Sequence, residues 1–215
     1  MASPTIPLHP LPVSLRPVRR FSQLFGGLLL YGASMALLVR AGLGLDPWDV
    51  LHEGLTRHIP VSFGTVTAIT GVLVLLAWLP LRQRLGLGTV ANVAVIAFAV
   101  DGALWLLPVP SALWLQVVFL VSGVVLNGLA TAAYIGARLG PGPRDGLMTG
   151  IAARTGWSLR LVRTGIELAV LAIGFLLGGT VGLGTLLYAI TIGPLAQFFV
   201  PFVALRTPCE WKTAQ

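Results

Sequence analysis

The stretch "GLGLDPWDVLHEGL", residues 42–55, interrupts a chain that is otherwise apolar on either side of it. It holds Asp46, Asp49 and Glu53, a proline at 47, and glycines at both ends. It is too polar to face lipid along its length and too short to be a domain. A near-copy returns as "RLGPGPRDGLMTGI", residues 138–151. Sliding the chain against itself by 96 residues lays Pro47 on Pro143 and Asp49 on Asp145. The same shift, with no gap, lays "GLGT" at 86–89 on "GLGT" at 182–185, Ser62 on Ser158, and Gly32 with Ala36 on Gly128 with Ala132. Abundant leucine and valine raise chance matches, but two uncommon motifs sharing one register indicate an internal duplication.

Around these motifs the chain is 56% hydrophobic and 10% charged. Six apolar runs stand out, at 21–39, 62–80, 88–108, 113–136, 159–177 and 184–205. Each has the length that a bilayer core demands of a helix, and each is apolar nearly all round, unlike the single stripe of a soluble helix. The expected fold is therefore all-α: a polytopic membrane protein with six transmembrane helices. Residues 1–20 read as a disordered cytoplasmic tail and 206–215 as a cytoplasmic C-terminal tail. The first apolar run reads as an uncleaved helix, since no small-residue cleavage site follows it. The net charge of +7 does not point to nucleic acid, because the arginines flank the apolar runs and form no continuous patch. One cysteine, Cys209, leaves no intramolecular disulfide.

Basic residues set the orientation. With the N-terminus inside and six spans, all 14 Lys and Arg residues except Arg40 and Arg57 fall on the cytoplasmic side. Both termini are then cytoplasmic. The duplicated units, 21–109 and 113–205, contain three spans each. Three is odd, so the second unit enters the membrane from the opposite side, a 3+3 inverted repeat of the kind common among secondary transporters. Each face would carry one Pro-x-Asp segment and one Gly-rich turn, drawn from different units. Reading the two Pro-x-Asp segments as spans in their own right would give eight crossings, but about 12 residues rise only ~18 Å as a helix.

The duplicated segments also hold the candidate site. Pro47 and Pro143 suit the first turn of a short helix, with Asp46 or Gly142 as its cap. Asp49 and Asp145 then lie near the exposed N–H groups and the positive end of the helix dipole. Two readings stand: a capped connector, or a broken, re-entrant element lining a polar cavity. Gly86, Gly88, Gly182 and Gly184 read as structural turns, with Thr89 and Thr185 as N-caps. Ionisable residues inside apolar runs are costly and usually face a bundle interior. Asp101, Arg163 and Glu167 are of this kind, the last two an (i, i+4) pair. Together with Asp49, Asp145 and Arg144 they form the expected substrate- or ion-binding set.

Other chemistry is missing. In "HEGLTRH" the histidines are six apart, so one helical face cannot offer them to zinc. No phosphate loop and no nucleophile–base pair is visible, so neither an enzyme nor a cofactor or metal is expected. His52, His58 and Glu53 read as solvated.

At "GLGLDPWDVLHEGL", "GLGTVAN" and the stretch running from "LGPGPRDG" at 139 to "ITIGP" at 194, the chain resembles the bacterial YczE-type membrane proteins, grouped with the YitT family. The likeness covers about residues 22 to 203. It implies a polytopic inner-membrane protein and brings no substrate or catalytic residue with it. Arg144, Asp145, Arg163 and Glu167 lie in its most recognisable stretch. The function expected is transport of a small solute or ion, or a subunit role in such transport. The alternative is a membrane scaffold or regulator that moves nothing. The partners expected are the lipid bilayer, the solute, and either a further copy of the chain or another membrane protein.

Overall fold

The computed structural model describes residues 11–12 and 14–205. Within them the chain forms helices α1 (Pro17–Ala41), α2 (Pro47–Thr56), α3 (Phe63–Leu81), α4 (Leu87–Leu106), α5 (Leu113–Gly136), α6 (Pro143–Thr155), α7 (Leu159–Leu176) and α8 (Leu183–Val203). The tail expectations for residues 1–10, 13 and 206–215, and Cys209 with them, lie outside the described residues. Each of the six apolar runs becomes a helix within a few residues of its expected bounds. Five of these helices, α1, α3, α4, α5 and α8, are long and apolar enough to cross a membrane. The sixth, α7, has 18 residues and carries Arg160, Arg163 and Glu167. α2 and α6 have 10 and 13 residues, or ~15 and ~20 Å, and are too short to cross.

Local chemistry sets these boundaries. Asp46, Ser62 and Ser158 cap α2, α3 and α7 by accepting hydrogen bonds from backbone N–H groups in the first turn. α4 and α8 begin differently from the expectation. Gly86 and Gly182 hold the N-cap positions. Thr89 and Thr185 sit three residues on, and each accepts from the N–H of its glycine at 3.3 Å. α1 begins at Pro17, ahead of the apolar run. Its Arg20 is buried, and it donates to the carbonyls of Ala137 and Arg138 at 2.9 Å, closing the end of α5.

α1 and α5 pack against each other along their length, and they run antiparallel. Gly27 lies on Ala130 and Tyr134, and Gly123 lies on Ser34 and Leu38. α4 covers α1 where Gly32 meets Ala99 and Val100; α8 covers α5 where Gly128 meets Leu195 and Ala196. These contacts match at the shift of 96 seen in the sequence. A Cβ on Gly32 would stand 2.5 Å from Ala99, so only glycine allows the approach. Outer faces carry large apolar side chains: Phe98 is 80% exposed, Leu183 82% and Phe202 74%. A helix that is apolar both inside and outside is solvated by lipid.

The short helices are braced crosswise. α2 packs on α7, and α6 on α3. The turn before α2 takes Gly44 to φ 115° and the turn before α6 takes Gly140 to φ 131°, a region closed to most side chains. Leu43 accepts a hydrogen bond from Gly184 N at 2.8 Å, and Leu139 accepts one from Gly88 N at 3.0 Å. Each Pro-x-Asp entry therefore rests on the Gly-rich turn of the other half of the chain.

Candidate functional site

The first turns of α2 and α6 approach each other inside the bundle. Arg144, in the first turn of α6, lays its guanidinium over the Trp48 ring, 5.0 Å from the centroid. Trp48 and Arg144 occupy the same position in the two halves at the 96-residue shift. From there Arg144 reaches two carboxylates of the other segment, Asp46 at 3.5 Å and Asp49 at 3.6 Å. Both distances are ion-pair contacts that fall short of good hydrogen bonds.

Asp46 and Asp49 are fully buried. Asp46 Oδ1 accepts from the N–H groups of Trp48 and Asp49 at 2.8 and 2.9 Å, fixing the start of α2. Asp49 Oδ1 faces His52 Nδ1 at 3.1 Å. The second oxygen of each carboxylate, and the indole N–H of Trp48, have no hydrogen-bond partner among the described residues. Burial pushes both aspartates up, Asp49 to about 6, against the pull of Arg144. Burial pushes His52 down to about 3, so its ring is neutral. The Thr67 hydroxyl donates to Phe63 O and also lies 3.3 Å from His52 Nδ1. Two acceptors on that side place the imidazole proton on Nδ1. The acidic neighbours hold Arg144 firmly charged.

Between these turns lies a cavity of about 280 Å³. Asp46, Trp48 and His52 line it from one short helix, and Arg144, Asp145 and Met148 from the other. Tyr31, Tyr134 and Tyr188 form an aromatic wall, and α7 contributes Arg163 and Glu167. Asp145 accepts from the Tyr134 hydroxyl at 2.9 Å. Arg163 and Glu167 pair with each other at 2.8 Å. α6 is held in place at its first residue, where Trp78 Nε1 donates to Pro143 O at 3.0 Å.

Of the expected set, Arg144, Asp145, Arg163 and Glu167 face this cavity, with Pro47 and Pro143 at the helix starts. Asp49 sits behind Asp46 and touches Arg144. Asp101 lies elsewhere. It is one turn from the end of α4, level with the start of α3, and it accepts from Gly64 N at 2.7 Å and Ser62 Oγ at 2.6 Å. Gly86, Gly88, Gly182 and Gly184 brace the short helices from outside the cavity.

Two residues read as solvated are not. His52 is buried on Asp49 and Phe63. Glu53 accepts from Thr180 N at 2.6 Å and Thr180 Oγ1 at 3.1 Å, tying α2 to the segment before α8. The sequence did hold a signal. Asp49 and His52 are three apart inside α2, which sets them on one helical face. Trp48 and the three tyrosines carried no comparable pattern.

The sequence matches the family of unknown function DUF6198 over residues 18–201. The chain belongs to that family. It is 41% identical over 186 residues to an uncharacterized protein of Haemophilus influenzae, covering 86% of this chain and 85% of that one. It is 34% identical to the uncharacterized membrane protein YczE of Bacillus subtilis, covering 86% of each, and 28% identical to the uncharacterized protein YyaS of the same organism, covering 82% of this chain and 90% of that one. No solved structure matches it. This DUF6198 member is thus a multi-pass membrane protein of the YczE type.

Proposed function

We propose that the protein is a small-solute or ion carrier of the bacterial inner membrane, built as a 3+3 inverted repeat, with its site in the cavity between α2 and α6. The observation that carries this reading is the meeting of two register-matched half-length helices, first turn to first turn, around buried charge. Unpaired backbone and ionisable groups persist at membrane depth only where protein or water satisfies them. The antiparallel run of α1 on α5 supports inversion, since a parallel repeat would set the equivalent helices α1 and α5 parallel. The matched glycine contacts and the crosswise bracing support a two-fold relation between the halves. On this reading α7 is the sixth span, its Arg163 and Glu167 turned to each other and to the cavity. Both termini are cytoplasmic. The partners are lipid and solute, and the protein catalyses no reaction.

A carrier exposes one site to each side of the membrane in turn. The test is therefore the reactivity of a cysteine at Thr131, which lines the cavity, in a Cys209→Ser background reconstituted in liposomes. A small membrane-impermeant thiol reagent should modify it from either face. Modification from one face only, or from neither, would favour a scaffold.

A further inference from the structure

The cavity is not neutral. Asp46, Asp145 and Glu167 line it, with Asp49 behind Asp46, against Arg144 and Arg163. Arg163 and Glu167 cancel within α7, and Asp145 adds a second acidic group away from this corner, half-buried and hydrogen-bonded by Tyr134 from α5. What remains at its most buried corner is a cluster of two carboxylates and one guanidinium, with one negative charge in excess. Burying an uncompensated charge is costly, so such a cluster holds either a proton or a monovalent cation. The remaining titratable groups do not supply it. His52 on α2 is neutral. Glu53 on α2 turns away to Thr180 and Arg57. α1 and α8 present only the phenols Tyr31 and Tyr188, and α3 presents Thr67. Asp49 Oδ2 accepts no hydrogen bond, and Asp46 Oδ2 has only the 3.5 Å ion-pair contact with Arg144; these two oxygens mark where the charge would be received.

The surroundings fit an organic cation better than an alkali or divalent metal ion. Hard cations collect six to eight oxygen ligands, and no group of three metal-ligating side chains occurs among the described residues. A cavity of about 280 Å³ is far larger than a bare ion. Its walls are tyrosines with Met148, Val74 and Ile96, suited to an apolar body and to a cation over an aromatic face. The protein already places one guanidinium here. Arg144 lies over Trp48 and between the two aspartates, loosely enough to be displaced.

We propose that Asp46, Asp49 and Arg144 form a site at which a proton and a small organic monocation, a primary ammonium or a guanidinium compound, exclude one another. This rests on the cavity being the carrier's site, and it makes that carrier a cation–proton exchanger. The exchange balances in charge: one cation enters as one carboxyl proton leaves.

Calorimetric titration of the purified full chain in detergent with methylguanidinium, in two buffers of different ionisation enthalpy, tests it. Affinity should rise about tenfold from pH 5 to pH 7, as expected for competition with a proton on a group titrating near pH 6. Close to one proton should be released per cation bound at pH 5, and close to none at pH 8. Asp46→Asn and Asp49→Asn should each lower affinity at least tenfold and flatten the pH dependence; His58→Gln, at an exposed position outside the cavity, should change neither. Should an asparagine variant misfold, the wild-type pH series decides alone. Equal affinity at pH 5 and pH 7, binding unaltered in both variants, or tighter binding of sodium than of methylguanidinium would overturn the proposal. The two readings fail separately. If methylguanidinium binds as described but the cavity cysteine reacts from one face only, the carrier falls and the cation site stands. If the cysteine reacts from both faces and no cation binds, the reverse holds.

Discussion

The two short helices share a scaffold and differ in almost every polar detail. α2 begins at Asp46, whose side chain caps it; α6 begins at Gly142, which has no side chain to do so. Asp49 is fully buried beside His52, while Asp145 is only half-buried and answers to Tyr134. The position between them is Trp48 in one half and Arg144 in the other. Identical residues at that matched position would set two like charges or two aromatic rings face to face. The pair is instead a guanidinium stacked on an indole, supplied from one half to the carboxylates of the other. Packing differs between the halves in the same complementary way. Trp78 of α3 lies over Gly146 of α6, whereas its counterpart on α7 is Gly174, which receives Val50 and Leu51 of α2. Each contact pairs a bulky residue with glycine, with the roles of long and short helix exchanged.

That exchange can be broken most severely at Gly174. A Cβ there would stand 2.5 Å from Leu51 N, against backbone that cannot rotate away. Gly174→Val should destabilise the fold by about 3 kcal/mol, read as loss of monodisperse protein on size exclusion and a lower thermal midpoint. Gly146→Ala meets the rim of the Trp78 ring at 2.0 Å and should cost less if that side chain swings aside, with rescue by Trp78→Phe.

The caps come next. Asp46→Ala removes two hydrogen bonds from the first turn of α2 and one partner of Arg144. A loss of about 1–2 kcal/mol is expected, measured by thermal unfolding. Gly142→Asp, which makes α6 resemble α2, should not stabilise in return. Its new carboxylate would lie against Asp145 Oδ2, only 3.1 Å from its Cβ.

A smaller effect separates the halves by pH. Asp49 is raised in the folded state, so the fold favours its neutral form. Its contribution to stability is complete below pH 4 and is lost as pH rises through about 6. The thermal midpoint of wild-type protein should fall across that window, and Asp49→Asn should remove that part of the slope. The smallest change is expected at Glu53→Gln, which keeps one acceptor for Thr180 and should cost about 1 kcal/mol or less. Because the latch has no counterpart at Thr149 in α6, this variant should loosen only the α2 end, seen as faster amide exchange at residues 50–57.

The sequence by itself determined the helices, their approximate bounds, the membrane as solvent and the 96-residue register. These follow from signals that are local or periodic: apolar run length, proline at a first turn, serine or aspartate at a cap. It also named most of the charged residues that line the cavity, because ionisable side chains among apolar runs are costly enough to be informative one at a time. Tertiary structure alone decided which of them meet. Asp101 looked like Asp49 in sequence, yet helix packing sets one on the first-turn donors of α3, Ser62 and Gly64, and turns the other to Arg144. His52 and Glu53 looked solvated because burial of a polar residue depends on what the far half of the chain brings to it. The Trp48–Arg144 stack required both halves to fold onto each other, and no spacing within either half encodes that contact.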